Sequence, residues 1–536
     1  MKLSLRKDEV KAFTDQERLF CHANRMEDGH VVVPRVMGLA ETGKTEIRDL
    51  QPGSFCEGSQ NLETVIGMEI HVELKTLSKM FCACSTQFGA RPNENTCPIC
   101  MGMPGTWPVL NREAVRLALR AGRALNCEVN RVSRFDRKNY TYPDLPKGCQ
   151  ITQFDLPLCE NGHLDIDNQE KHLRIGIERI HLEEDAGKLI HPENRPVTLV
   201  DYNRAGVPLI EIVTHPEAIS PRQAVAFLKE LKRILEYTEV SDCRMEQGSL
   251  RCDVNLSVRR SGEKQLGTKV EIKNLNSFKE IQRALEWEQQ RQQGLLKSNR
   301  PDLIRSETRR WDDKKGMSFP MRMKNGSQQY SICPDPDLPP LDLRDEELQP
   351  FLEESLPELP RQKRARFSSR YGLSIYEANV LTESKFLAEY YEEVVDYGIQ
   401  PKEASNWILA ELLRLWKHTN QPIAPVDSSR LAELIKLVEE GTISRSIGKE
   451  ILDELVITNK RPQLIVEERG LNQVSDRAEI ESLIQDVLDE HQGVVEDYRK
   501  GKIKAAGYLM GQIMKAGCGK VNPQIAKELL QKMLAE

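Results

Sequence analysis

Alternation of apolar and polar positions dominates the chain between residue 62 and about residue 350. Short runs of this kind are separated by Pro, Gly and Asn turns, and two stretches with helical spacing interrupt them, at about 111–127 and 221–237. This mixture predicts an α+β domain with much antiparallel sheet. The strand prediction rests on the runs 64–74, 173–182, 207–213, 251–258 and 270–272.

The flanking segments follow other patterns. Residues 1–61 show no sustained period, which predicts a poorly ordered extension. The Pro- and Asp-rich stretch 333–350 predicts a linker that closes a domain spanning 62–350. Apolar residues at helical spacing then predict a helical domain over 351–463 and a smaller helical unit over 464–536. The helical runs of the first of these lie around 379–395, 403–416, 428–439 and 446–455.

One motif in the extension is a decoy. Residues 38–45 match the phosphate-binding pattern G-x-x-x-x-G-K-[ST], which requires a preceding strand and a following helix. Pro34 interrupts the valine run before it, and Pro52 and Gly53 end any helix after about two turns. No parallel sheet can be built around the motif in 61 residues, so we interpret it as a chance match.

Composition narrows the possible functions. Hydrophobic residues make up 39% of the 536 residues, which is enough for folded cores. The formal net charge is −6, so RNA binding would have to use local basic patches. No run of about 18 apolar residues occurs, so no membrane span is predicted. The N-terminus lacks an apolar signal core and carries acidic residues, which predicts a cytoplasmic protein, with an organelle stroma or matrix as the alternative.

Four of the thirteen cysteines lie at metal-binding spacing. Cys82 and Cys84 form a C-x-C pair, and Cys97 and Cys100 form a C-x-x-C pair twelve residues later. Two such pairs can close a tetrahedral four-thiolate site, which favours a structural zinc ion with no open position. Ordinary free thiols or an iron–sulfur cluster are the alternatives.

Carboxylates on the predicted strands are candidates for a second metal site. Alternation over 64–74 puts Glu69, His71 and Glu73 on one face, where they could bind a divalent cation or form a solvated surface. Glu211 stands inside an apolar strand, and a buried carboxylate is costly unless it is paired or metal-bound. Asp253 lies on the polar face of the run 251–258.

Two further segments leave their roles open. The strand period puts His181 and Glu183 on one face and Glu184 on the other, before an Asp-Ala-Gly turn. The cations and aromatics of 134–144 suit contact with a nucleotide, or form a solvated turn. Within that stretch the nucleotide candidates are Arg137, Lys138 and Tyr140.

Together these segments resemble the B subunit of the aspartyl/glutamyl-tRNA amidotransferase (the GatB family), over about residues 62–536. The large inserted domain of the related archaeal E subunit is missing, which favours the B subunit. The resemblance implies an α+β cradle with a mixed or antiparallel sheet, an all-α helical domain and a small tail domain related to the YqeY family. The motifs that carry it occur in the family's order at 63–74, 135–144, 182–188, 209–213, 246–253, 273–277 and 507–515.

The resemblance implies a reaction on a misacylated tRNA. In the family, ATP activates the side-chain carboxylate of Glu-tRNA(Gln), Asp-tRNA(Asn) or both, and ammonia then converts it to the amide. An amidase partner, the A subunit, makes the ammonia from glutamine, and a small C subunit clamps the other two in a heterotrimer. Some family members lack the four cysteines, which implies that zinc has a structural role. A zinc-containing RNA-binding module without catalysis is the competing interpretation.

The resemblance also implies roles for individual residues. A bulge before Asp185 would reconcile the family's use of Glu184 with the strand period, which favours Glu183. The segment 498–532 carries eight Lys or Arg and one acid, so its cations are expected to contact the tRNA backbone. The implied magnesium and kinase site comprises Glu69, His71, Glu184, Glu211 and Asp253, and the implied tRNA contacts are Arg499, Lys500, Lys502, Lys504 and Lys515.

Overall fold

The chain forms two compact units, Met1–Leu359 and Pro360–Glu536, in a computed structural model. The residues it describes are 3–20, 23, 25–34, 62–168, 171–192, 195–323, 331–418, 426–458, 460–471, 477–499, 502, 504–517, 521 and 523–535.

The N-terminal unit combines strands with a few helices. Its strands are β1 (Leu5–Arg6), β2 (Met26–Glu27), β3 (His30–Pro34), β4 (Leu62–Glu73), β5 (Leu110–Asn111), β6 (Glu128–Val129), β7 (Val132–Ser133), β8 (Asp136–Asn139), β9 (Cys149–Thr152), β10 (Cys159–Asn168), β11 (Lys171–Glu184), β12 (Lys188–Ile190), β13 (Val197–Asp201), β14 (Pro208–Thr214), β15 (Leu250–Arg260), β16 (Val270–Lys273), β17 (Glu307–Asp312), β18 (Met317–Met323), β19 (Ser331–Pro334) and β20 (Leu341–Asp342). Its helices are α1 (Gln16–Leu19), α2 (Arg112–Ala124), α3 (Pro221–Tyr237), α4 (Phe278–Lys297) and α5 (Gln349–Glu353), with 3₁₀ turns at Met245–Gln247 and Pro301–Leu303.

A nine-stranded sheet organises this unit. Its strand order is β18-β17-β16-β15-β4-β14-β11-β10-β6, and β16–β17 is its parallel pair. All five predicted strand runs lie in it. Alternation along β4 buries Ile66, Met68, Ile70 and Val72 on one side, where helices α2, α3 and α4 close the core. The opposite side of the same strands is therefore left for polar residues.

Helix prediction in this unit is partly right. α3 spans the predicted residues and begins at Ser220, whose side chain accepts a hydrogen bond from the backbone N–H of Gln223. α2 matches the run predicted at 111–127. The sequence analysis misses α4, although Ser277 caps it in the same way, because its exposed face is rich in Gln, Glu and Arg. Burial of its apolar stripe against β15 and α3 stabilises it.

The prediction of a linker at 333–350 is wrong, because this segment contains paired strands. β19 pairs with β8 in a three-stranded sheet of order β19-β8-β9, and β20 pairs with β7. The segment belongs to the N-terminal unit, which continues through α5 to Leu359. Its prolines and aspartates flank short pairing segments, so its composition resembles that of a linker.

The prediction of a poorly ordered extension also needs correction, for the described residues before position 35. β1 pairs with β5, and β2 and β3 complete a four-stranded sheet of order β12-β13-β3-β2. The pairing partners lie more than 100 residues along the chain, so no local pattern reveals them. The decoy motif at 38–45 lies outside the described residues.

The C-terminal unit is helical. Its helices are α6 (Pro360–Tyr371), α7 (Ile375–Leu381), α8 (Lys385–Asp396), α9 (Pro401–Asn406), α10 (Leu413–His418), α11 (Ser428–Glu439), α12 (Arg445–Thr458), α13 (Pro462–Arg469), α14 (Arg477–Glu490), α15 (Gln492–Arg499), α16 (Lys504–Ala516) and α17 (Pro523–Ala535), and a π-helical turn, Trp407–Leu412, joins α9 to α10.

Two boundaries in this unit differ from prediction. The run 379–395 covers two helices, because Ser384 interrupts it and caps α8. The boundary at 464 falls inside α13, whose Ile465 and Val466 are buried where the helix packs on α11 and α12. A separate apolar core joins α14, α15, α16 and α17. None of the helices in the described ranges is long and apolar enough to cross a membrane. The predicted α+β fold followed by helical domains is confirmed.

Candidate metal and activation site

Four neighbouring strands of the large sheet bring a row of polar side chains together. His71 of β4 lies opposite Glu211 of β14 on one side and Arg251 of β15 on the other. Glu211 in turn lies opposite His181 of β11. Because side chains along a strand alternate between faces, the residues two positions away on each strand share this polar face.

The imidazole of His71 lies among three carboxylates. Its Nε2 is 3.4 Å from Oε2 of Glu211, 3.9 Å from Oε1 of Glu183 and 4.0 Å from Oε1 of Glu69. A second imidazole, His181, has its Nε2 3.6 Å from Oε2 of Glu183 and 3.7 Å from Oε2 of Glu211. These groups form two triads of candidate metal ligands that share Glu211. Carboxylate oxygens and imidazole nitrogens at this spacing fit a divalent cation.

The electrostatics of this cluster keep a negative charge at its centre. Burial raises the pKa of Glu211, but the charges of His181 and His71 outweigh burial and hold that pKa far below its usual value. Burial lowers the pKa of His71, but the hydrogen bond to Glu211 and its charge outweigh burial and raise it. Burial and the charge of Glu211 together raise the pKa of Glu69. A bound cation would stabilise all three carboxylates in their ionised form.

Glu184 faces away from this cluster. The register of β11 against β14 is continuous from Arg179 to Glu184, so no bulge turns its side chain. Its Oε2 accepts a hydrogen bond from Nζ of Lys147 at 2.6 Å, and its Oε1 accepts one from the backbone N–H of Ile151 at 3.3 Å. The geometry therefore brings Glu183, and not Glu184, to His71, whereas the resemblance implies Glu184.

Asp253 lies at the edge of the polar face. It is opposite Glu69 in the β15–β4 register, and its Oδ2 accepts a hydrogen bond from Nζ of Lys273. Burial lowers the pKa of Lys273, but the charge of Asp253 outweighs burial and raises it. The sequence analysis misses Lys273 as a site residue, although it follows directly on the predicted strand 270–272. The ammonium group of Lys273 therefore orients Asp253 beside the ligand cluster.

A second polar group extends the face at the other end of β4. Oδ2 of Asp185 accepts a hydrogen bond from Arg251 at 2.7 Å and lies 3.4 Å from Nε of Arg204. Burial and the neighbouring Asp185 raise the pKa of Glu73 to about 8. Burial raises the pKa of Asp185, but Arg251 and Arg204 outweigh burial and lower it. Within this pair the surroundings therefore favour a proton on Glu73 and a charge on Asp185.

The two predicted nucleotide-binding cations differ in their surroundings. The guanidinium of Arg137 donates to Oδ2 of Asp335 at 2.8 Å and to Oδ2 of Asp337 at 2.7 Å. The charge of Lys138 is among those that lower the pKa of Glu211. Successive side chains of β8 point to opposite sides of the strand.

Tyr140 contacts the ligand cluster indirectly, through Gln150. Its hydroxyl donates to Oε1 of Gln150 at 3.5 Å, and Nε2 of Gln150 donates to Oε1 of Glu183. The same amide donates to the carbonyl of Glu184 at 3.0 Å, which fixes the end of β11. Gln150 therefore orients Glu183, and period-2 alternation is the only sequence signal that points to Glu183 itself.

The four predicted zinc ligands also come together. Cys82, Cys84, Cys97 and Cys100 are buried, and their sulfur atoms lie within 4.8 Å of one another. Tetrahedral zinc–thiolate ligation needs sulfur atoms about 3.8 Å apart, so the cluster could bind such a metal. Nζ of Lys79 lies 3.7 Å from Sγ of Cys100 and donates to it, which favours thiolate there. Cys333 and the other described cysteines form no comparable group within the described ranges.

Three of the predicted tRNA contacts lie on described helices, with Arg499 on α15 and Lys504 and Lys515 on α16. Lys502 forms an ion pair with Asp497, with Nζ and Oδ1 3.0 Å apart. Lys500 lies outside the described residues. The four predicted contacts that the structure describes are exposed: Arg499, Lys502, Lys504 and Lys515.

Comparison with known proteins identifies the family. Residues 64–349 match the model of the GatB/GatE catalytic domain, and residues 389–534 match that of the GatB domain. The B subunit of the aspartyl/glutamyl-tRNA(Asn/Gln) amidotransferase of Clostridium beijerinckii is 51% identical over 478 residues, which cover 89% of this chain and 100% of that protein. Its counterpart from Caldanaerobacter subterraneus subsp. tengcongensis is 51% identical over 476 residues, covering 88% of this chain and 99% of that protein.

The matched domains, in this order, define a GatB/GatE-type protein with its catalytic domain first. Within that class, the chain belongs to the family of aspartyl/glutamyl-tRNA(Asn/Gln) amidotransferase B subunits. The resemblance that the sequence motifs carry is thereby confirmed. The catalytic-domain model begins at residue 64, so its match does not include the N-terminal segment.

Proposed function

We propose that this chain uses ATP to activate the side-chain carboxylate of a misacylated tRNA and transfers ammonia to it. The substrates are Glu-tRNA(Gln), Asp-tRNA(Asn) or both, and the products are the corresponding amides. The observation that carries the proposal is the grouping of half-buried His71 with the buried carboxylates Glu211 and Glu183 on the polar face of the catalytic sheet. The names of the family relatives support the substrate class.

The chemistry explains why such a face is needed. A carboxylate is a poor acceptor for ammonia because an oxygen anion would have to leave. Transfer of the γ-phosphoryl group of ATP to a carboxylate oxygen gives an acyl phosphate and ADP. Ammonia then attacks the carbonyl carbon, the carbon–oxygen bond to phosphate breaks, and loss of a proton from nitrogen leaves the amide. Both steps place negative charge on phosphate oxygens, so a site for them must supply positive charge.

The ligand cluster suits that requirement. Mg²⁺ bound there would neutralise charge on the ATP phosphates. Glu69, His71, Glu183 and Glu211 would hold the ion, with His181 beside them. Asp253, held by its lysine partner, would extend the acidic side of the site.

Residues around the cluster have supporting roles in this proposal. Lys138 would contact the nucleotide phosphates, and Arg137 would fix the strand that carries it through its two aspartates. Tyr140 would help hold Gln150 against Glu183. The four cysteines would bind a structural zinc ion away from this chemistry.

Partners complete the proposed reaction. An amidase, the A subunit, would supply ammonia from glutamine, and a small C subunit would clamp the complex. The exposed cations of α15 and α16, among them Arg499 and Lys504, would contact the tRNA backbone. The family relatives are named as B subunits, which supports an assembly of several subunits.

Glu211→Gln tests the proposal in the complex with its partner subunits. The variant should lose ATP-dependent amidation by at least about 100-fold, because a central charged ligand is removed. Glutamine hydrolysis by the amidase partner should remain. Glu178→Gln is the matched control, because Glu178 is an exposed carboxylate on β11. Near-normal amidation by a folded Glu211→Gln complex would remove this cluster from the reaction and favour an RNA-binding module without catalysis.

A further inference from the structure

The segment before the matched domains crosses the cysteine cluster. Residues 3–20 of this segment, together with β2 and β3, form what we call the strap. Family models match only from residue 64, and the Clostridium beijerinckii relative aligns over its whole length with 89% of this chain. The strap therefore lies outside the part of the chain that the catalytic-domain model matches.

The strap is anchored at the start of the first cysteine pair. The carboxylate of Asp8 accepts hydrogen bonds from the backbone N–H groups of Leu77 and Ser78 at 2.7 and 2.8 Å. It also accepts one from Nδ2 of Asn111 at 2.9 Å. Nε of Arg6 donates to the carbonyl of Val109 at 3.2 Å, beside the β1–β5 pairing. These bonds tie the strap to the chain before Cys82 and to the chain after Cys100.

The strap then crosses both cysteine pairs. The backbone N–H of Lys11 donates to the carbonyl of Ala83 at 2.8 Å, between the two cysteines of the C-x-C pair. The ring of Phe13 packs against the sulfur cluster. Gln16 exchanges two hydrogen bonds with Thr96, the residue before Cys97: its Nε2 donates to the carbonyl at 2.9 Å, and its Oε1 accepts from the hydroxyl at 2.9 Å.

Its far end is held by sheet pairing. β3 lies along β13 from Val197 to Val200, so the strap satisfies backbone groups that would otherwise form an open sheet edge. Nδ2 of Asn93 donates to the carbonyl of Gly29 at 2.7 Å, close to the second cysteine pair. Both ends are thus fixed, and Lys11, Phe13 and Gln16 between them contact the cysteine pairs and their neighbours.

We propose that the strap is a built-in closure of the thiolate cluster that retains its metal ion. A chelator removes a metal only when it can reach the ion and the ligand pairs can separate. The strap opposes both events, because Phe13 covers the sulfur atoms while the bonds of Lys11 and Gln16 join the two pairs. Release of metal then requires the strap to lift first.

The test is the rate of zinc release from the full chain. Purified protein should contain about one zinc ion per chain, and a coloured zinc-binding dye with excess chelator reports its release. Phe13→Ala and Asp8→Ala should each release zinc at least tenfold faster than the unsubstituted chain. Val10→Ala is the matched control, because Val10 lies in the same segment and is 47% exposed. Its release rate should stay within about twofold of the unsubstituted rate.

A second measurement separates local opening from unfolding. Alkylation followed by mass spectrometry should show faster labelling of Cys82 and Cys97 in Phe13→Ala once chelator is added. Cys252, buried in the large sheet, should label at an unchanged rate. Equal zinc release from all four proteins, a metal-free cluster, or labelling of Cys252 in step with Cys82 would each overturn the proposal.

Discussion

The adjacent pair Glu183 and Glu184 gives the sharpest test of the activation site. Both side chains are buried, and both are neutralised by the same substitution to Gln. They face opposite sides of β11, so the two variants should fail in different ways. Each variant is therefore the matched control for the other.

Glu183→Gln should affect catalysis. Its carboxylate oxygens lie 3.9 Å from Nε2 of His71 and 3.6 Å from Nε2 of His181, within the ligand cluster. Removing one unit charge at about 4 Å costs about 4 kcal/mol at an effective dielectric constant of about 20. That energy corresponds to a loss of roughly 1,000-fold in amidation. Stability should change little, because the cluster without metal contains several repelling carboxylates.

Glu184→Gln should affect stability. Its pair with Lys147 is buried, with Oε2 2.6 Å from Nζ. Removing one partner of a buried pair costs about 3–5 kcal/mol, since the remaining charge has no partner. For the unit Met1–Leu359, this corresponds to a melting temperature lower by roughly 4–7 °C. Amidation per folded molecule should stay within a few-fold of normal.

The assays are ATP-dependent amidation of charged tRNA by the complex and thermal unfolding of each variant. The reasoning is refuted if Glu184→Gln abolishes amidation in a stable protein while Glu183→Gln keeps near-normal activity. That outcome would require a bulge in β11 before Asp185, which would turn the side chain of Glu184 toward the ligand cluster.

Three further predictions address other parts of the chain. Replacing Cys97 and Cys100 together by Ser should abolish zinc binding and lower the melting temperature more than it lowers amidation per folded molecule; metal analysis and unfolding curves check this, and unchanged stability would contradict it. Deleting the residues after 471, which leaves α13 intact, should raise the apparent KM for charged tRNA and make tRNA binding less dependent on salt. Glutamine hydrolysis by the partner subunit should remain. Unaltered tRNA binding would assign tRNA recognition to the N-terminal unit or to another subunit. Burial raises the pKa of Glu377, but hydrogen bonds from Lys402 and Ser374 outweigh burial and lower this pKa to about 2. The ionised Glu377 therefore stabilises the folded unit above about pH 4.5, and this stabilisation is lost as the pH falls toward 2. Glu377→Gln should therefore lower the unfolding free energy by about 1–2 kcal/mol at pH 7 and by nearly nothing near pH 2, and a pH-independent difference would contradict this.

The sequence alone determined the features that local chemistry specifies. Alternation along 64–74 predicts both the buried face of β4 and the polar face with Glu69 and His71, because side chains point to opposite sides of any strand. The spacing of the cysteine pairs predicts a four-thiolate cluster, because two short pairs suffice to close a tetrahedron. Glu211 is recognisable because a lone carboxylate in an apolar strand needs a partner.

Tertiary structure decided which of these groups meet. β4 pairs with β15, which lies about 180 residues further along the chain, and that register sets Arg251 beside His71. The β11–β14 register chooses Glu183 over Glu184, and Lys147 reaches Glu184 from a turn with no periodic signal. The sequence pattern likewise does not predict the strap, because β1 and β3 are short and are stabilised by pairing with strands more than 100 residues away. Sheet register and long-range pairing depend on which edges are free in the folded unit, and no window of local sequence contains that information.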